Sequence, residues 1–210
     1  HIKRAIDVFT AGILLSACAP LFCVTALLVY LDVGMPILFW QKRPGLRGRA
    51  FRLYKFRTMR PAGRKREEDR LSHKSGDNAR MSAIGYWLRR LRLDELPQLY
   101  HIFEGTMSFI GPRPLLPEDQ PEGGEHRLSV RPGITGLAQI NGGDALSPEQ
   151  KLVLDVWYIQ HMSLWLDISI ALRTFRIFLG EDKANLRMVE RARADLKASG
   201  YETDNIERAA

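Results

Sequence analysis

AGILLSACAPLFCVTALLVY, residues 11–30, decides what kind of protein this chain can be. It is the centre of a run from Val8 to Leu31, 24 residues without a charged side chain. At about 1.5 Å per residue, a helix of that length reaches across a hydrocarbon core of about 30 Å. A cleavable leader fits poorly, because the apolar run is too long and no small-residue cleavage site precedes a mature domain. A buried core helix is the soluble alternative.

Two features argue against a simple crossing. Pro20 sits in the middle of the run and removes one backbone hydrogen bond, so a kink is expected there. Both flanks are also basic: Lys3 and Arg4 before it, Lys42, Arg43, Arg47 and Arg49 after it, against Asp7 and Asp32. The bias of Lys and Arg toward the cytoplasmic side pulls both ends the same way. A helix that enters, bends at Pro20 and returns satisfies both signals, provided the freed backbone groups find partners other than lipid. A plain spanning helix is the second choice.

The rest of the composition narrows the partners. Of 210 residues, 31 are Lys or Arg and 24 are Asp or Glu, a formal charge of +7. Such a surplus suits nucleic acid, an anionic membrane surface or phosphorylated substrates. No nucleic-acid recognition motif appears, and the apolar run serves that role poorly, so nucleic acid is excluded as a partner. Cys18 and Cys23 both lie in the apolar run and form no disulfide framework, and the five histidines are scattered without zinc spacing. The chain begins at His1 rather than Met, as expected of a fragment or a processed chain.

Downstream, Ile37–Gln41 and Ala50–Phe56 favour strands and flank the turn-rich KRPGLRGR, which predicts a short β-hairpin. Lys55, Arg57 and Arg60 follow around Thr58 and Met59. Pro61–Asn78 is polar and reads as a loop or solvated helix without chemistry of its own. Ile84, Trp87, Leu88 and Leu91 have helical spacing, with Arg89 and Arg90 at the end. Then comes RLDELPQLY, residues 92–100, a bare Asp94-Glu95 pair behind arginines. The plain reading is a helix start, since acidic residues and Pro97 suit a first turn. That helix would carry Leu96, Leu99, Ile102 and Phe103 and stop at Gly105.

SFIGPRPLLPED (108–119) and VRPGITGLAQINGGD (130–144) are dense in Gly and Pro and read as ordered loops rather than helices. Loops that present backbone N–H groups beside an arginine suit phosphate or nucleotide. Ser147, Pro148 and Gln150 compose a capping box for the next helix, with Val153, Val156, Trp157 and Ile159 as its apolar stripe. A second apolar run covers 164–180. Trp157, Tyr158 and Trp165 with Arg173 and Arg176 suit a helix in the membrane interface, burial against the body being the alternative. The charged tail after Gly180 is poorly amphipathic and is expected to be partly unstructured.

With these segments in view, the chain resembles the small monotopic phosphoglycosyl transferases of the bacterial sugar transferase family. The resemblance rests on six ordered blocks: QKRPG (41–45), YKFRTM (54–59), LDELPQL (93–99), MSFIGPRPLL (107–116), VRPGITGLAQING (130–142) and LDVWY (154–158). It implies transfer of a sugar-1-phosphate from a UDP-sugar to polyprenol phosphate at the cytoplasmic face of the bacterial inner membrane, with UMP as second product. It also implies Asp94 as nucleophile, Glu95 as its partner, Mg²⁺ as cofactor held at these two carboxylates, and a re-entrant N-terminal hairpin. The chemistry is coherent. A carboxylate at a helix N-terminus is expected to stay ionised. Attack on the phosphate next to the sugar yields an acyl phosphate and splits the transfer into two steps. Arg89 and Arg113 are expected to clamp phosphate through their donor forks, with Lys55 and Arg57 as further phosphate contacts. Pro132, Gly133, Thr135, Gly136 and Gln139 form the expected nucleotide and sugar loop.

Three positions depart from the family pattern. Arg92 stands where many members carry a capping Ser or Thr, Asn141-Gly142-Gly143 replaces Asn-Gly-Arg, and Ala19-Pro20 replaces Ser-Pro. The expected architecture is therefore α+β and mostly helical: a Pro-broken re-entrant hairpin (1–36), a cytosolic catalytic domain with a short β-hairpin and interfacial amphipathic helices (37–180), and a charged tail (181–210). Membrane lipids and a second copy of the chain complete the expected partners. A glycosidase is excluded, because its carboxylates must flank the bond from opposing sides. A non-catalytic membrane scaffold is the remaining alternative, but it has no need of Asp94-Glu95 and their arginines.

Overall fold

The computed structural model describes residues 2–60, 81–121, 123–178 and 185–201. The expectation for Pro61–Asn78 falls outside them. The described residues are mostly helical, with two small two-stranded sheets. It divides into two compact units, one of residues 1–9, 42–52 and 101–210, the other of residues 10–41 and 53–100.

Helix α1 (Ile2–Ala17) and helix α2 (Ala19–Val33) meet at a bend of 62°. Pro20 falls in the first turn of α2, where its missing N–H costs no helical bond, and so the break comes just before it at Cys18. Among the described residues no single helix is long and apolar enough to cross a membrane; the bent pair together meets the requirements of length and composition. Strand β1 (Leu38–Pro44) extends past the expected Gln41 and pairs with β2 (Ala50–Phe56).

In the smaller unit, one face of α2 is not left to solvent. Phe22, Ala26 and Val29, spaced at i, i+4 and i+7, pack with Phe56, Ile37, Leu93, Leu96 and the residues Ile84 and Leu88 of helix α3 (Ala83–Arg90). Helix α3 starts at Ser82, whose hydroxyl accepts from Gly85 N at 2.8 Å and donates to Asp32 at the end of α2. Gly85 lets α3 lie on the backbone of Thr58, because a Cβ there would fall 2.2 Å from the Thr58 carbonyl oxygen. The other side of α2 exposes Val24, Leu27 and Leu31.

Helix α4 (Gln98–Glu104) ends at Gly105 as expected, at φ +106. The two Gly- and Pro-rich segments are more than loops. Strand β3 (Ser108–Ile110) and strand β4 (Gly133–Thr135) form a parallel pair, Ser108 opposite Gly133 and Ile110 opposite Thr135, and helix α5 (Leu137–Ile140) follows. The start of α1 docks on the larger unit: Asp7 accepts from the Ser108 hydroxyl at 2.8 Å, and Lys3 pairs with Asp167 at 2.5 Å.

The core of the larger unit forms around helix α6 (Pro148–Gln160), whose Ser147–Gln150 capping box is present as expected. Leu152, Val153, Leu154, Val156 and Tyr158 are all buried. Tyr158 is thus a core residue rather than an interfacial one, its hydroxyl held by Asp167 at 2.6 Å. Trp157 packs against the same cluster and donates to Asp195 at 3.1 Å. Helix α7 (Leu164–Phe178) buries Ile170 and exposes Trp165, Ile168, Leu172 and Phe175 on another face. The segment expected to be partly unstructured forms helix α8 (Leu186–Ala198) over most of its described length. Val189, Ala192 and Leu196, spaced at i, i+3 and i+7, are buried in the core, and this apolar stripe accounts for its order.

Candidate active site

The Asp-Glu pair does not open an α-helix. After α3 ends, Arg92 adopts a left-handed conformation (φ 57, ψ 18), and Leu93–Glu95 forms a single 3₁₀ turn. Glu95 N donates to Arg92 O at 3.2 Å and Leu96 N to Leu93 O at 3.3 Å; α4 begins only at Gln98. A bulky residue at positive φ is uncommon and persists only when its surroundings over-determine it. Here Leu93 and Leu96 are drawn into the cluster with α2 and α3, which fixes the turn between them.

That turn buries both carboxylates, Asp94 at 7 % exposure and Glu95 at 8 %. Glu95 Oε1 accepts from Lys55 Nζ at 2.6 Å, with Arg92 at 3.9 Å. Asp94 Oδ1 is sealed from solvent and accepts no hydrogen bond among the described residues. Burial raises the Asp94 pKa, and the Glu95 charge raises it further; Lys55, Arg89 and Arg92 oppose both effects. The expectation of a carboxylate held ionised by a helix N-terminus is therefore corrected: a 3₁₀ turn of three residues supplies no such dipole, and desolvation dominates. Three nearby cations favour the ionised form.

The arginines divide by what their forks already hold. Arg89 Nε donates to the Thr58 hydroxyl at 2.8 Å, beside the dyad. Arg57 is engaged elsewhere: it donates to Met59 O at 3.2 Å and Met35 O at 3.3 Å, and so braces the chain at the base of the hairpin. Thr58 itself, 4 % exposed, anchors Arg89 and is a candidate site residue that the sequence reading passed over. Its place inside the YKFRTM block was the available signal.

Arg113 and the expected nucleotide and sugar loop belong to the larger unit. Gly111 N donates to Thr135 O and Gly133 N to Pro112 O, each at 2.9 Å, so these loop N–H groups are spent on the parallel pair rather than presented to a phosphate. Gly136 lies against Gly111, leaving no room for a side chain. Thr135 bonds Thr174 at 2.8 Å. The Gln139 amide is buried with no partner among the described residues. Arg113 lines a narrow cleft together with Pro44, Gly45, Gln120, Arg127 and Pro132. Pro20 lies at the helix break and touches none of this chemistry.

Among the described residues no group of three or more His, Cys, Asp or Glu could hold a metal. Two adjacent carboxylates, one with an unpartnered oxygen, are a sparse donor set. That set fits Mg²⁺, which is commonly held by one or two carboxylates plus substrate phosphates, and does not fit an ion needing a full protein cage.

Comparison with known proteins identifies the family. The family described as "Bacterial sugar transferase" matches residues 1–181. The "Uncharacterized sugar transferase EpsL" of Bacillus subtilis is 43% identical over 178 residues, 83% of this chain and 86% of that one. The "Undecaprenyl-phosphate glucose phosphotransferase" of Komagataeibacter xylinus is 40% identical over 83% of this chain, which spans only 35% of that longer protein. The "UDP-glucose:undecaprenyl-phosphate glucose-1-phosphate transferase" of Caulobacter vibrioides is 39% identical over 87% of this chain and 71% of its own length. The chain belongs to the bacterial sugar transferase family and is a transferase.

Proposed function

We propose that this bacterial sugar transferase moves a sugar-1-phosphate from a UDP-sugar to polyprenol phosphate, through a covalent phosphosugar on Asp94. The observation that carries the reading is the Asp94 carboxylate itself: buried, with one oxygen unpartnered among the described residues, and facing Lys55, Arg89 and Arg92. A desolvated carboxylate oxygen without a hydrogen bond keeps its lone pairs for attack, and the surrounding cations suit an incoming diphosphate. The names of the relatives support a sugar nucleotide donor and a polyprenol phosphate acceptor.

In the first step an Asp94 oxygen bonds to the phosphorus next to the sugar, and the bond from that phosphorus to the bridging oxygen breaks. UMP leaves with the electron pair. In the second step a phosphate oxygen of the lipid attacks the same phosphorus, the acyl phosphate bond breaks, and the Asp94 carboxylate is restored. Glu95, locked to Lys55 at 2.6 Å, holds that cation beside the nucleophile. Arg89, anchored on Thr58, supplies charge where the diphosphate bond breaks. Arg113, in its own cleft, holds a substrate phosphate. Asp94 and Glu95 would hold Mg²⁺, which when bound offsets charge on the diphosphate.

The bent α1–α2 pair is read as a re-entrant hairpin with both ends cytoplasmic, and the exposed apolar face of α7 as its interfacial companion. This reading puts the protein at the cytoplasmic face of the bacterial inner membrane, at the membrane step that begins glycoconjugate assembly, and the bent helix pair and the exposed apolar residues support it. The test is UMP release by purified protein with polyprenol phosphate, Mg²⁺ and a panel of UDP-sugars. Wild type should release UMP with at least one sugar, chelation should stop it, and Asp94→Asn should fall to background. UMP release by Asp94→Asn at the wild-type rate would end this reading.

A further inference from the structure

The larger unit contains a buried ion pair that the chemistry above does not use. Arg127 and Asp155 are 5 % and 2 % exposed, with Nε donating to Oδ2 at 2.8 Å. Asp155 sits on α6 between the core residues Leu154 and Val156, so its carboxylate is fixed by the most tightly packed helix of the unit. Burial raises the Asp155 pKa and Arg127 opposes that, so the carboxylate depends on its partner.

The remaining Arg127 nitrogens point the other way. One donates to the backbone carbonyl of Arg113 at 2.9 Å and the other to Gln120 Oε1 at 3.2 Å. Gln120 in turn donates to Leu116 O at 3.2 Å. The segment from Arg113 to Gln120 is thus suspended from one guanidinium, which is bolted to the core through Asp155. Plain stability would be served as well by an apolar pair, since a buried ion pair is weak evidence for stability. A planar fork with three partners in two segments is a device for geometry.

We propose that Arg127 is a positioning residue: fixed on Asp155, it holds the Arg113 carbonyl and so sets where the Arg113 guanidinium meets a substrate phosphate. The inference rests on the reading of Arg113 as a phosphate contact. The phosphate belongs to the sugar nucleotide or to the polyprenol phosphate, and the two are told apart by which KM moves.

The experiment is a double-mutant cycle of Arg127→Lys and Arg113→Gln, with kcat and both KM values measured alongside thermal unfolding. Arg127→Lys keeps the charge against Asp155 but loses the fork. Alone it should lower kcat/KM for one of the two substrates by about 10- to 100-fold, the scale of a misplaced contact. In the Arg113→Gln background it should cost less than about twofold, because the residue it positions is gone. Any loss of Tm should be equal in both backgrounds. Full activity of Arg113→Gln would overturn the reading of Arg113 as a phosphate contact. An impaired Arg113→Gln on which Arg127→Lys costs as much as in wild type would overturn the positioning role alone. Should Arg127→Lys not fold, Gln120→Ala carries the same test, with a smaller loss in the same kinetic parameter that vanishes in Arg113→Gln and a refutation if it persists there.

Discussion

Gly85→Ala asks whether the placement of α3 over Thr58 governs the chemistry. A Cβ at this position would lie 2.2 Å from Thr58 O, 2.9 Å from Ser82 Oγ and 3.1 Å from the Thr58 carbonyl carbon. Ordinary contact begins at 3.4 Å, so the helix must lift off Thr58 by about 1.2 Å, the difference between 3.4 and 2.2. Two of the three obstacles are backbone atoms, which no rotamer change removes. The lift draws Arg89 away from the Thr58 hydroxyl that it now meets at 2.8 Å. A displacement of about 1 Å among positioning residues costs on the order of 100-fold in rate. The overpacking itself costs about 1–3 kcal/mol, partly offset by the better helix propensity of Ala. The expected result is folded protein with a slightly lowered Tm and a kcat/KM about 100-fold down in the UMP-release assay. Wild-type turnover in Gly85→Ala would refute the claim that Arg89 acts from this geometry.

Two further outcomes follow from the same contacts. Lys55→Met removes a cation that lowers the Asp94 pKa. The attacking form is the carboxylate, so activity rises as pH climbs through that pKa, and the acidic limb of the kcat/KM profile should move to higher pH; an unmoved or lowered limb would contradict the role given to Asp94. Leu196→Ala empties a fully buried position on α8, at a cost of about 2–5 kcal/mol and roughly 5–15 °C in Tm for a chain of this size. An unchanged Tm would mean that α8 contributes nothing to the fold.

Much of this architecture was legible in the residues. Pro20 announced the helix break, because its missing donor restricts where it can sit, and Ser147 with Gln150 announced the start of α6. The Asp94-Glu95 pair stood out in the sequence, but its local structure did not. Arg92 at positive φ breaks the local preference of its residue type, and only the packing of Leu93 and Leu96 enforces it. The β3–β4 pair escaped notice since two strands of three residues, far apart in the chain, leave no periodicity to read. Helix α8 was hidden among charges, with Val189, Ala192 and Leu196 as its sparse apolar stripe. Arg127 and Asp155 could not be paired from sequence, because 28 residues separate them and nothing local marks either.

The central claim is that Asp94 becomes covalently bonded to the phosphosugar. Wild-type protein mixed with UDP-sugar and Mg²⁺, without lipid acceptor, and quenched on the millisecond scale should gain the mass of one sugar phosphate, localised to the peptide carrying Asp94, while releasing about one UMP per active site. The adduct should vanish on addition of polyprenol phosphate and be absent from Asp94→Asn. No added mass on wild type, together with kinetics requiring both substrates bound before UMP appears, would mean direct transfer and would contradict the mechanism.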